Sequence, residues 1–72
     1  MSVQYLLVVF DGDDCDVLAD GDLVGVTNHT LMLPANEYEI TLDSKKCTPK
    51  ARDVVLSRTS LVRPKVVIFS KT

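Results

Sequence analysis

The segment from position 11 to position 22 carries the residue types best suited to metal chemistry. Hard cations such as calcium bind several carboxylate oxygens at once, and this segment is rich in carboxylates: Asp11, Asp13, Asp14, Asp16, Asp20 and Asp22. The spacing departs from a calcium loop, because Cys15 stands where an oxygen ligand is needed and Asp16 where the loop has a glycine. We therefore interpret the segment as two solvated turns and predict no metal site. The alternative is a binding module in which residues 11–22 hold a cation or a basic partner.

Residues typical of catalysis are few. His29 is the only histidine, and its polar neighbours Thr27, Asn28 and Thr30 include no base or nucleophile of a known motif. No serine lies in a Gly-x-Ser-x-Gly pattern, and the three glycines are too far apart to cradle a phosphate. We expect no enzymatic activity, no catalytic residue and no bound cofactor.

Two cysteines, Cys15 and Cys47, leave two states open. No second cysteine or histidine lies near either of them in the sequence, so a zinc site is not indicated. They are either reduced thiols used as small apolar core residues or, in an oxidising compartment, a disulfide. The chain shows no signal-peptide pattern, so we expect it in the cytoplasm, or outside it if the chain is a domain of a longer protein.

Charge is distributed unevenly along the chain. All eight basic residues follow position 44, whereas every acidic residue except Asp53 precedes position 45. A basic half suits a nucleic-acid surface, but no aromatic residues alternate with its cations as base-stacking platforms would. We favour the interpretation that strands from the two halves pair in one sheet, with opposite charges facing each other, and expect no nucleic-acid partner.

Length and composition indicate one small all-β domain spanning residues 1–72. Valine, isoleucine and threonine, which favour strands, supply 19 of the 72 residues. The longest apolar run, Tyr5–Phe10, is far shorter than the roughly 20 residues of a membrane helix, so we expect no membrane insertion. Hydrophobic residues make up 46% of the chain, which excludes a disordered protein.

A period of two recurs along the chain and predicts its strands. An Asp20-Gly21 pair indicates a hairpin with a type I′ turn, and Gly25 marks a bulge or a close backbone contact. The predicted fold is a small antiparallel β-sandwich or open barrel of about six or seven short strands, Greek-key-like. The strands are expected at 5–10, 15–19, 22–24, 31–33, 37–43, 52–58 and 61–69, the last interrupted near its start by Pro64.

The order of motifs in residues 8–42 resembles the PEGA domain, a small β-sandwich accessory module of bacterial and archaeal proteins. The similar segments are CDVLADG at 15–21, DLVGVT at 22–27 and LMLPANEYEITL at 31–42. Residues 11–15 stand where that family has the Pro-Glu-Gly-Ala stretch of its name. The resemblance implies a scaffold or interaction role, with turn-forming motif residues such as Gly21 and Pro34 and no catalytic residues.

Apolar residues in excess of one small core predict association with a second copy or a larger protein. The first and last strands are apolar at consecutive positions, so we expect some side chains to point outward: Leu7 or Val8, and Val67 or Phe69. Exposed apolar patches usually mark interfaces, and pairing through an edge of the first or last strand would satisfy free backbone groups. The alternative is that these two strands are neighbours and that the 44–50 loop covers their second face.

Overall fold

The computed structural model describes residues 3–72 and contains β-strands as its only regular elements within that range. No helix long and apolar enough to cross a bilayer occurs in the described part of the chain. The strands are β1 (Val3–Phe10), β2 (Asp16–Ala19), β3 (Asp22–Val26), β4 (Thr30–Pro34), β5 (Asn36–Leu42), β6 (Cys47–Thr48), β7 (Arg52–Leu56) and β8 (Lys65–Lys71).

The strands form two four-stranded sheets that pack on each other, which confirms the predicted all-β sandwich. Sheet 1 has the order β4-β1-β8-β6, and sheet 2 has the order β3-β2-β5-β7. The chain passes from one sheet to the other at every connection except the β2–β3 hairpin. The pairing is antiparallel throughout the described sheets except between β1 and β8, which run parallel.

Alternation of apolar and polar residues places one face of each sheet in the core. In β5, Ile40 and Leu42 are buried while Glu37 and Glu39 are exposed, as the sequence predicts. The same parity in β7 buries Val54 and Leu56. The buried apolar side chains of every strand except β3 join one cluster between the sheets, made of Leu6, Val8, Phe10, Val17, Ala19, Leu31, Leu33, Ile40, Leu42, Cys47, Val54, Leu56, Val67 and Phe69.

The predicted β2–β3 hairpin is present, and its turn has the expected backbone. Asp20 and Gly21 both adopt positive φ, 51° and 87°, as a type I′ turn requires. The Asp20 carboxylate also accepts a hydrogen bond from the Glu39 N–H at 2.8 Å, which ties the turn to β5. A register shift in the β2–β3 pair lies beside Gly25, where a Cβ atom would overlap the Leu31 side chain.

The second half of the chain departs from the predicted strand boundaries: the strand predicted at 52–58 ends at Leu56, and two other differences are larger. The last strand begins at Lys65, and residues 57–64 form the preceding loop, in which Ser60 and Arg63 exchange backbone hydrogen bonds. The segment predicted as a polar link between the strands at 37–43 and 52–58 contains the short β6, which pairs with the end of β8. With β6 included, the structure has eight strands.

The predicted meeting of opposite charges across strands is wrong, although acidic and basic halves do share a sheet. The acidic β5 pairs with β7, yet Glu39 lies directly opposite Asp53. Within residues 3–72, no Lys or Arg side chain forms an ion pair with a carboxylate, and the single His–carboxylate contact joins His29 and Asp14 at 4.0 Å. The acidic and basic residues, which are separated in the sequence, are therefore also separated in the fold, because the basic half forms β6, β7 and β8 at one side of the sandwich.

Candidate interaction surface

The outer face of sheet 1, on β4, β1 and β8, carries no charged side chain. Burial of alternate residues in each strand fixes which side chains point away from the core. Most of them are apolar, and the most exposed are Met32 at 68%, Ile68 at 56%, Val3 at 53% and Val66 at 49%. The ten outward residues, called the outer apolar face below, are Val3, Tyr5, Leu7, Val9, Thr30, Met32, Pro34, Val66, Ile68 and Ser70.

The strand register places these side chains side by side. Tyr5 lies opposite Met32 on β4, while Leu7 and Val9 lie opposite Val66 and Ile68 on β8. Neighbouring strands are about 4.8 Å apart, so side chains at paired positions are in contact range. The outer apolar face is therefore one continuous patch across three strands.

The outer face of sheet 2 has a different character. One of its two central strands, β5, presents Glu37 and Glu39 to solvent, and the neighbouring β7 adds Asp53 beside Val55. These acidic side chains and Asp20 surround a shallow depression. Since charged residues are depleted from the cores of protein interfaces, the two faces of the sandwich are not equivalent, and the apolar one suits a protein partner.

β8 also leaves part of one edge of sheet 1 open. β6 pairs only with Ser70 and Lys71, because it has just two residues and ends at Thr48. Backbone groups alternate in direction along a strand, so the N–H and C=O groups of Val66 and Ile68 point toward this edge. A groove of about 300 Å³ runs beside it, between β8 and the outer edge of β7.

The structure decides which of the predicted outward residues are outward. Leu7 points to the outer face, whereas Val8 is fully buried. For the last strand both predicted residues are wrong, because Val67 and Phe69 are 4% and 1% exposed and lie in the core. β1 has no free edge, since β4 and β8 pair with its two sides. The 44–50 loop does not cover the outward side chains of β8, about half of whose surface is exposed.

The acidic segment 11–22 does not gather its carboxylates around one point. Among residues 3–72, no group of three or more His, Cys, Asp or Glu side chains is placed to hold a metal ion. Individual carboxylates instead bond to the chain itself: Asp11 accepts from the Lys71 N–H at 2.6 Å, and Asp20 accepts from the Glu39 N–H. Binding of a cation or a basic partner by residues 11–22 stays a prediction.

His29 lies at the surface beside a polar network that the sequence did not reveal. Asn28, at a φ of 64°, accepts from the Phe10 N–H at 3.1 Å and donates to the Phe10 carbonyl at 3.0 Å and to Asp14 at 2.8 Å. Thr27 is fully buried, and its hydroxyl accepts from the Cys15 N–H at 3.1 Å. This network joins the end of β1, the start of β2 and the β3–β4 turn, so its role is structural.

The two cysteines are free thiols. Cys47 is buried in β6, and Cys15 is half-buried and packs against the core. Burial raises the pKa of the Cys15 thiol above its ordinary value, and the nearby Cys47, Asp16 and Asp43 raise it further. Cys15 is therefore mostly protonated at neutral pH.

Comparisons of the chain with protein-family models, curated proteins and solved structures found no match.

Proposed function

We propose that this protein is a non-enzymatic interaction module and that its partner is a second copy of the same chain. The observation that carries the proposal is the outer apolar face of sheet 1, which spans three strands and has no charged residue. In this arrangement, two copies pack their sheets 1 face to face, as sheets pack within a sandwich. The resemblance to the PEGA domain, an accessory module, agrees with such a role.

The size of the apolar face supports a stable dimer. Complete burial of one large aliphatic side chain contributes about 1.5–3 kcal/mol, and the face offers several, of which Met32, Ile68 and Val66 are about half exposed or more. Association itself costs on the order of 4–15 kcal/mol in lost freedom. Burial of the partly exposed face in both copies offsets that cost.

A pair of lysine substitutions at matched exposure tests the face. Ile68 is 56% exposed on the outer apolar face, and Val55 is 58% exposed on the outer face of sheet 2. We expect Ile68→Lys to give a folded monomer and Val55→Lys to leave the dimer intact, as measured by light scattering after gel filtration. Leu7→Lys probes the same face on β1. Val67→Lys is unsuitable, because Val67 is buried and a lysine there would unfold the core.

A proline substitution separates face packing from edge pairing. The Val66 N–H points to the open edge, so Val66→Pro removes a donor that sheet 1 does not use and keeps an apolar side chain. Face-to-face packing predicts that Val66→Pro remains a dimer. Loss of the dimer in Val66→Pro, with the dimer retained in Ile68→Lys, would contradict the proposal and indicate pairing of β8 edges.

A further inference from the structure

The two cysteines approach the same end of the core from different sheets. Cys15 immediately precedes β2 of sheet 2, and Cys47 begins β6 of sheet 1. Cys47 is a member of the hydrophobic cluster between the sheets, and Cys15 packs against that cluster. The fold therefore places two thiols that are distant in the sequence at the same hydrophobic core.

Backbone hydrogen bonds define how close the two residues are. The β2–β5 register, in which Val17 faces Leu42, continues by a bond from the Asp43 N–H to the Asp16 carbonyl at 2.9 Å. One further step of the same register places Cys15 opposite Ser44. The Cys47 thiol donates to the Ser44 carbonyl, with an Sγ–O distance of 3.4 Å. Ser44 is thus the immediate neighbour of both cysteines.

We infer that Cys15 and Cys47 are a disulfide site that crosslinks the two sheets. The side chain of Cys15 points to the core face, the same face as Val17, and so toward the sheet that carries Cys47. The effect of Cys47, which raises the pKa of the Cys15 thiol, agrees with the proximity of the two residues. Such a crosslink would join β6, which has only two residues, to sheet 2.

The two thiols differ in access, and this sets the order of reaction. Cys15 lines an open cavity of about 280 Å³ together with Ser44, whereas Cys47 is 2% exposed. The Cys15 thiolate attacks a small-molecule disulfide, one sulfur of that reagent leaves as a thiol, and a mixed disulfide forms on Cys15. The Cys47 sulfur then attacks Cys15, which releases the second reagent thiol. The two cysteines are oxidised, the reagent is reduced, and its two thiols carry away the two protons.

The experiment treats the folded protein with the neutral disulfide of 2-mercaptoethanol and follows the intact mass. The expected product has lost two hydrogen atoms, has no titratable thiol and remains one chain. Its thermal unfolding midpoint should rise by on the order of 15 °C, because the crosslink closes a long loop, and a reductant should reverse the shift. Cys47→Ser should stop at the mixed disulfide, and Cys15→Ser should stay unmodified.

Comparison with the unfolded chain shows whether the fold itself aligns the thiols. The intramolecular step should be at least about tenfold faster in native buffer than in urea at the same pH, because the folded chain holds the two sulfurs together. Retention of both thiols in the native protein would overturn the inference. A lasting mixed disulfide on the wild-type chain, or faster closure in urea, would overturn it as well.

Discussion

Replacement of Asn28 removes the polar link between the β3–β4 turn and the end of β1. The side chain makes two bonds with Phe10 and one with Asp14, and each contributes about 0.5–1.5 kcal/mol net. We expect Asn28→Gly to lower the free energy of unfolding by about 2–3 kcal/mol through loss of these bonds alone, because glycine adopts positive φ without strain. In Asn28→Ala the φ of 64° adds about 1 kcal/mol of strain.

Urea unfolding followed by far-UV circular dichroism measures both losses, which are large for a domain whose total stability is about 4–11 kcal/mol. His29→Ala is the matched control, because His29 is the exposed neighbour of Asn28 and its contact with Asp14 is long, at 4.0 Å. We expect it to unfold within about 0.5 kcal/mol of the wild type. An Asn28→Gly variant as stable as the wild type would refute the role of the side-chain bonds, and equal losses in Asn28→Gly and Asn28→Ala would refute the backbone contribution.

Three further outcomes are expected. Gly21→Val should lose more than about 1 kcal/mol of stability, because a β-branched residue is strained at a φ of 87° although no atom would obstruct its Cβ; unchanged urea unfolding would contradict this. Thr59→Val should lower the free energy of unfolding by about 1–2 kcal/mol. The Thr59 hydroxyl donates to Gln4 and accepts from the Tyr5 N–H, both at 2.7 Å. Retention of full stability in the same assay would refute the role of these bonds. Iodoacetamide should modify Cys15 more slowly in the folded chain than in urea at neutral pH, because the raised pKa lowers the thiolate fraction. The rate in the folded chain should rise with pH. Equal rates in the folded chain and in urea would contradict the raised pKa.

Strands with strict alternation were predictable from the sequence. In β5 the residues Tyr38, Ile40 and Leu42 alternate with acidic or polar ones, so only one register buries the apolar set. The Asp20-Gly21 turn was predictable for a local reason, since few residue pairs adopt positive φ at both positions. These features depend on neighbours in the sequence.

The orientation of β8 could not be derived in the same way. Val66 to Phe69 are all apolar, so period two assigns no face, and the sequence-based choice of Val67 as an outward residue was wrong. The parallel pairing of β8 with β1 depends on contacts across the whole chain, which no local signal encodes. It is this pairing that places Val66 and Ile68 beside Leu7 and Val9 and so completes the outer apolar face.

The polar network was also outside the reach of sequence reasoning. Asn28 could be recognised as a turn residue, because asparagine tolerates positive φ. Its bonds to Phe10 and Asp14 join segments that lie well apart in the sequence. The same holds for the approach of Cys15 to Cys47, which depends on the register of β2 with β5 continuing beyond the strand ends.

Sedimentation equilibrium of the wild-type protein tests the proposed self-association most directly. The chain has a mass of 7.9 kDa, and at micromolar concentrations and above we expect a species of about 16 kDa, with apolar burial as its main driving force. Because the outer apolar face is uncharged, the dimer should persist in high salt. A single species at the monomer mass over the whole concentration range would contradict the account.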